Sequence, residues 1–168
     1  MIRDKVLLLI KISKKNNLNI SVAESCTGGL LSSSIIEIPG ASDIFNSGFV
    51  TYSNIAKTKH LGVNKDIVKK FGAVSNETSL AMAKGLYKVS KSNLIVSITG
   101  VAGPGGGTLK NPVGTVYFTF GVKQNKKTIT YSTYRHNFNS KNRVGIQKKS
   151  VNYVLDKFIE IAKTYKLD

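Results

Sequence analysis

The run Leu94-Ile95-Val96-Ser97-Ile98-Thr99-Gly100 limits the possible folds more than any other stretch of the chain. It is too short for a helix and apolar on nearly every residue, so both of its faces must be covered. A strand covered on both sides, in a chain whose other segments keep helical spacing, predicts a sheet between two layers of helices.

The remaining segments fit that plan. Helical spacing fits residues 1–16, and residues 18–23 read as a buried strand running into Ser25. Helical spacing returns over 26–37 and ends at Pro39-Gly40. Residues 45–53 carry the β-branched and aromatic types that strands favour. Two short helices follow over 54–61 and 64–71, parted by Gly62. A longer helix over 75–91 is capped by Ser75 and places Leu80, Ala83, Leu86 and Val89 on one face. After the central strand come two alternating strands, 114–122 and 128–137, joined by the polar turn 123–127. A last helix over about 141–165 buries Ile146, Val151, Val154, Leu155, Phe158, Ile159 and Ala162. The expectation is an α/β fold, a three-layer α/β/α sandwich with a mixed sheet of about five strands, formed by residues 1–168 as a single domain.

The apolar run at residues 6–10 is too short for a secretory leader and is followed by Lys11-Ile12-Ser13-Lys14-Lys15, so it reads as an amphipathic helix. No stretch approaches the ~18 apolar residues of a membrane span. The single cysteine, Cys26, cannot form an internal disulfide, and a cytoplasmic location is expected. The formal net charge of +16 first suggests an anionic partner. Against a nucleic acid, the arginines are only Arg3, Arg135 and Arg143, and the lysines are scattered without a dense block. An AT-rich coding sequence, which accumulates lysine on tolerant surfaces, explains the same charge. Nucleic acid is therefore not the favoured partner.

Ser25 stands between an expected strand and an expected helix, followed by Thr27, Gly28 and Gly29. It is either an N-cap or a hydroxyl nucleophile beside helix N–H groups able to hold an oxyanion or phosphate. A nucleophilic serine needs a base. His60 and His136 are the only histidines, and neither has an acid of obvious role nearby. Lys57 is the alternative, since desolvation can lower an amine's pKa until it accepts the proton. It follows Thr51-Tyr52-Ser53-Asn54 on the same sheet edge as Ser25 if the strands are parallel, and Tyr52 could relay a proton or orient the pair. The segment 99–108 follows the central strand, where open α/β sheets bind ligands. It has neither the ending of a P-loop nor dinucleotide spacing, so neither ATP nor NAD is expected, and no cofactor. Cys26 reads as buried filler, with a nucleophilic thiol as the sharper alternative. No metal site is expected, because His60, His136 and Cys26 lack paired ligand spacing.

Three ordered motifs, Ala23-Glu24-Ser25-Cys26-Thr27-Gly28-Gly29, Gly48-Phe49-Val50-Thr51-Tyr52-Ser53-Asn54 with Lys57, and Thr99-Gly100-Val101-Ala102-Gly103-Pro104-Gly105-Gly106, resemble the CinA C-terminal domain family, the nicotinamide-nucleotide amidohydrolases. The resemblance extends to Pro112-Val113-Gly114-Thr115-Val116 and implies a stand-alone domain. It implies a metal-free deamidation of nicotinamide mononucleotide to nicotinic acid mononucleotide and ammonia, in pyridine nucleotide recycling. Carried over position by position, Ser25 is the nucleophile, Lys57 the base, Tyr52 its assistant and Thr99 a site residue. Thr27, Gly28, Gly29, Asn54, Gly100, Gly103 and Gly105 are expected around the substrate. The family's late arginine falls on Arg143. The Gly-Asp usual before it is absent, and a second arginine four residues on is replaced by Gln147.

The expected partners are therefore a small nucleotide substrate and further copies of the chain as a homodimer or larger assembly, with no membrane. Two other readings stand beside the amidohydrolase. One is a catalytically weak nucleotide or nucleic-acid binding module, which the charge and the altered Arg143 segment suggest. The other is a cysteine enzyme using Cys26.

Overall fold

The computed structural model describes residues 1–125, 127–140 and 142–166. Residue 126 of the expected turn, residue 141 at the expected start of the last helix, and residues 167 and 168 of the expected domain lie outside the described residues.

The helices are α1 (Ile2–Lys15), α2 (Leu30–Ile36), α3 (Asn54–Leu61), α4 (Lys65–Phe71), α5 (Asn76–Ser90) and α6 (Arg143–Thr164). The strands are β1 (Ile20–Glu24), β2 (Phe45–Val50), β3 (Leu94–Gly100), β4 (Thr115–Lys123) and β5 (Ile129–Asn137). They form one five-stranded sheet in the order β2-β1-β3-β4-β5. β1 runs parallel to both β2 and β3, whereas β3–β4 and β4–β5 are antiparallel. The apolar strand 94–100 is thus central, and the expected mixed sheet between helical layers is what forms.

Alternating residues of the inner strands feed two cores. Val22, Val96 and Ile98 pack with Leu9 of α1, Leu31 and Ile35 of α2, and Val154, Leu155 and Phe158 of α6. Ala23 and Ile95 face the opposite layer, against Leu61, Met82, Ala83 and Leu86. At ~1.5–3 kcal/mol for each fully buried large apolar side chain, these two faces hold the sheet between its helices. All seven residues expected to be buried by the last helix are buried.

Three local expectations are corrected. The second helix begins at Leu30, not at Cys26. Gly28 and Gly29 adopt φ of 61° and 96°, a left-handed conformation that interrupts a right-handed helix. Strand β2 ends at Val50, because Ser53 turns to cap α3 by accepting from Ala56 N–H at 3.0 Å. The buried stripe of α5 runs through Ser79, Met82, Ala83 and Leu86, while Val89 is exposed. The hydroxyl of Ser79 meets those of Thr119 at 2.8 Å and Ser97 at 3.2 Å, so hydrogen bonding to the sheet face sets the rotation that apolar spacing alone misjudged.

The order of the strands fixes the place of the site. From β1 the chain crosses α2 to reach β2 on one side, then returns through α3, α4 and α5 to β3 on the other. The carboxyl ends of β1 and β3 therefore part at a topological switch point, where open α/β sheets form ligand crevices.

Candidate active site

Ser25 continues the β1–β3 ladder by one residue, donating its N–H to Ile98 O at 2.9 Å. Thr51 does the same on the other edge, donating to Glu24 O at 2.8 Å. The chain then turns into α3, whose first turn carries Lys57 back under this edge. Lys57 is 1% exposed. Its Nζ donates to Ser25 Oγ at 3.0 Å, to Thr51 O at 3.0 Å and to Tyr52 O at 3.3 Å.

The two carbonyls can only accept, so they hold two of the amine's N–H groups in either protonation state. The third tetrahedral direction faces Ser25 Oγ. It carries an N–H when the amine is charged and a lone pair when it is neutral. Burial pushes the pKa of Lys57 below its ordinary 10.5, and no carboxylate forms an ion pair with it among the described residues. This is the setting in which a lysine can take the proton of a serine hydroxyl.

Neither histidine enters this arrangement. His136 stacks with Phe138 and packs on Phe118 and Tyr153, and His60 is exposed near the end of α3. Cys26 is 5% exposed, and burial pushes its thiol up to about 12, so it stays protonated at neutral pH. Among the described residues no group of His, Cys, Asp or Glu is arranged to hold a metal ion.

A cleft of about 300 Å³ opens above the Ser25–Lys57 pair. It is walled by Tyr52 and Asn54 on one side, by Ala73 and Val74 on another, and by Thr99 to Gly103, Gly105 and Gly106 on a third, with Arg143 at its mouth. Gly100 is required by close approach, because a Cβ there would stand 2.6 Å from Thr115 O. Thr99 Oγ1 donates to Ala73 O at 2.7 Å and fastens the α4–α5 connection to the end of β3. The guanidinium of Arg143 donates to Gly103 O at 3.0 Å and to Tyr52 Oη at 3.2 Å. The phenol of Tyr52 thus meets Arg143, and it is the main-chain carbonyl of Tyr52 that meets Lys57.

Ser25, Lys57, Tyr52, Asn54, Thr99, Gly100, Gly103, Gly105 and Arg143 are therefore brought together around one cleft. Thr27, Gly28 and Gly29 are not part of its wall. The cause is Glu24, fully buried at the end of β1. Its carboxylate accepts from Gly29 N–H and Leu31 N–H at 3.1 Å each, and from Ser32 N–H at 2.8 Å and Ser32 Oγ at 2.7 Å. The N-terminus of α2 is thus occupied by an internal anion and turned away from the cleft. Gly28 N–H is also spent, on Ser25 O at 3.1 Å. Among the described residues the N–H groups of Cys26 and Thr27 meet no main-chain acceptor. Sequence reasoning missed Glu24, although it lies inside the first motif, and it missed Ala73 and Val74, which carry no chemical signal.

Fold and site together define a class: an α/β domain with a buried lysine–serine pair at the switch point of a mixed sheet, beneath a glycine-walled cleft. The model of the CinA C-terminal domain matches residues 4–162, and the chain belongs to that family. A putative competence-damage inducible protein of Clostridioides difficile is 54% identical over 119 residues, which cover 71% of this chain and 28% of that protein. A CinA-like protein of Thermotoga neapolitana is 45% identical over 125 residues, 74% of this chain and 30% of that protein. The chain thus matches under a third of the length of these curated relatives. Among solved structures, the competence/damage inducible protein CihA of Agrobacterium tumefaciens superposes with a TM-score of 0.89 at 36% identity, covering 95% of this chain and 94% of that one. A competence-damaged protein (CinA) superfamily protein of Escherichia coli superposes with a TM-score of 0.88 at 27% identity, covering 96% and 90%. No helix among the described residues is long and apolar enough to cross a membrane.

Proposed function

We propose that this chain is an amidohydrolase that converts nicotinamide mononucleotide to nicotinic acid mononucleotide and ammonia in pyridine nucleotide recycling. The observation that carries the reading is the 3.0 Å contact between Lys57 Nζ and Ser25 Oγ beneath the cleft.

Neutral Lys57 takes the Ser25 proton as Oγ attacks the carboxamide carbon, and the carbonyl oxygen becomes an oxyanion. The N–H groups of Cys26 and Thr27, which meet no main-chain acceptor among the described residues, are the donors nearest to this centre in sequence. When the C–N bond breaks, the ammonium of Lys57 returns its proton to the leaving nitrogen, which departs as ammonia and leaves a Ser25 acyl ester. A water attacks that ester, gives its proton to Lys57, and the collapse releases the carboxylate while Lys57 reprotonates Ser25. No metal or cofactor enters the sequence of steps. Arg143 at the cleft mouth has guanidinium N–H groups left for the substrate phosphate.

The test is ammonia release from nicotinamide mononucleotide by the purified protein. Turnover that Ser25→Ala abolishes supports the reading, and no release by the wild-type chain, or full turnover by Ser25→Ala, overturns it.

A further inference from the structure

The first turn of α6 touches three separate segments around the cleft. Asn142 caps the helix by accepting from Gly145 N–H at 2.8 Å. Arg143 ties down Gly103 O of the glycine loop and Tyr52 Oη of the β2–α3 connection. Gln147 lies one turn further, four residues on, and therefore on the same face of the helix. Its Nε2 donates to Cys26 O at 2.9 Å, across 121 residues of chain. Gln147 does not line the cleft, so it has no route to the substrate except through what it holds.

What it holds is the peptide next to Ser25. A trans peptide is a rigid plane in which C=O and N–H point in opposite directions. Fixing Cys26 O toward α6 therefore fixes the direction of Thr27 N–H, which has no main-chain acceptor among the described residues. The same anchor limits how far Ser25, one residue upstream, can swing from Lys57. The helix itself does not depend on this bond, because Ile146, Ser150, Val151 and Val154 bury its inner face.

We propose that Gln147 is a positioning residue: through the Cys26 carbonyl it holds the Cys26–Thr27 peptide and keeps the nucleophile turn in register with Lys57. This rests on the amidohydrolase reading for its kinetic consequence. The anchoring itself can be read independently, because Cys26 is the chain's single cysteine and a thiol reagent reports on that turn alone.

The experiment compares wild type with Gln147→Ala, Gln147→Glu and Gln147→Arg. It measures kcat and KM for ammonia release, the melting temperature, and the rate at which N-ethylmaleimide labels Cys26 in the native protein. Gln147→Ala and Gln147→Glu, which lack the donor, should lose about tenfold in kcat with KM within about twofold. They should also label Cys26 about fivefold faster or more, because the turn opens locally more often. Gln147→Arg keeps an N–H donor and should recover most of kcat and of the protection. Unchanged kcat and unchanged labelling in Gln147→Ala overturn the proposal. So does a rise in KM with kcat intact, which makes Gln147 a substrate contact, or a Gln147→Arg variant as impaired as Gln147→Ala, which makes side-chain volume the cause. If the wild type releases no ammonia, the amidohydrolase reading falls, and the labelling rates alone decide whether Gln147 anchors the turn.

Discussion

Glu24 and Ser32 meet twice: one carboxylate oxygen of Glu24 accepts both the main-chain N–H of Ser32 at 2.8 Å and its hydroxyl at 2.7 Å. The other oxygen takes Gly29 N–H and Leu31 N–H. A fully buried carboxylate is tolerated here because the positive end of α2 and four donors replace its water. Ser25 is the next residue after Glu24, so the bond network that starts α2 also sets where the Ser25 turn begins.

Glu24→Gln removes the charge and turns an amide toward N–H groups that need an acceptor. Leaving buried donors unpaired should cost about 2–4 kcal/mol of stability. Urea unfolding followed by circular dichroism measures this, and an unchanged midpoint would contradict the assignment. Because the variant acts on the turn and not on the reacting atoms, the folded fraction should keep measurable ammonia release.

The same turn shows where the sequence was readable and where it was not. Leu94–Gly100 announced itself because burial on both faces leaves little choice but apolar residues. The break between α3 and α4 and the start of α5 were legible through Gly62 and Ser75, a left-handed turn and a cap that are local chemistry, whereas Ser53, read as the end of a strand, and Asn64, read as a helical residue, proved to be the caps of α3 and α4. Cys26–Gly29 was misread as the first turn of a helix, since two glycines permit that conformation as well as the positive φ they actually adopt. Glu24 gave no signal, because its partners follow it by five to eight residues along a path that only the folded turn defines. Ser25, Lys57, Thr99 and Arg143 could be named from motifs. That Tyr52 offers Lys57 a carbonyl and Arg143 a phenol depends on backbone direction, which residue types do not encode.

Removing either member of the central pair should be severe. Ser25→Ala and Lys57→Met, the latter nearly isosteric and uncharged, should each lower kcat for deamidation by about a thousandfold or more. The double variant should be little worse than either alone, because the two groups act as one unit. Additive losses in single-turnover measurements would show that Lys57 does not serve Ser25.

The rate should depend on pH with a definite sign. In the proposed reaction the neutral amine of Lys57 accepts the Ser25 proton, and burial lowers the pKa of that amine from 10.5. The profile of kcat/KM should therefore rise with pH through an ionisation below 10.5, and Lys57→Met should abolish that limb. A profile flat from pH 6 to 10 would exclude Lys57 as the base.

Stability should respond to pH through a different residue. Burial, with Lys157 adding to it, pushes His136 below its ordinary 6.5 in the folded chain. Within the aromatic group of Phe118, Phe138 and Tyr153, the neutral ring is the favoured form. The unfolded chain therefore binds the proton more readily, and the contribution of His136 is complete above pH 6.5 and lost as the pH falls through its lowered folded value. Thermal melts of wild type and His136→Phe between pH 4.5 and 8 should converge or cross toward acid, the variant losing less stability.

Arg143 has two tasks that a pair of substrates can separate. Its guanidinium spends one N–H on Gly103 O and one on Tyr52 Oη, which leaves further donors at the cleft mouth. If those donors receive the phosphate, Arg143→Lys should raise KM for nicotinamide mononucleotide about tenfold and leave KM for nicotinamide riboside, which has no phosphate, within about twofold. If Arg143 only fastens the glycine loop, both substrates should suffer alike, since the loop shapes the cleft for the shared nicotinamide ring. The ratio of the two KM changes is therefore the quantity to measure. A ratio near one would leave Arg143 as the tie between Gly103 and Tyr52 and direct the search for the phosphate contact to the N–H groups of the glycine loop itself.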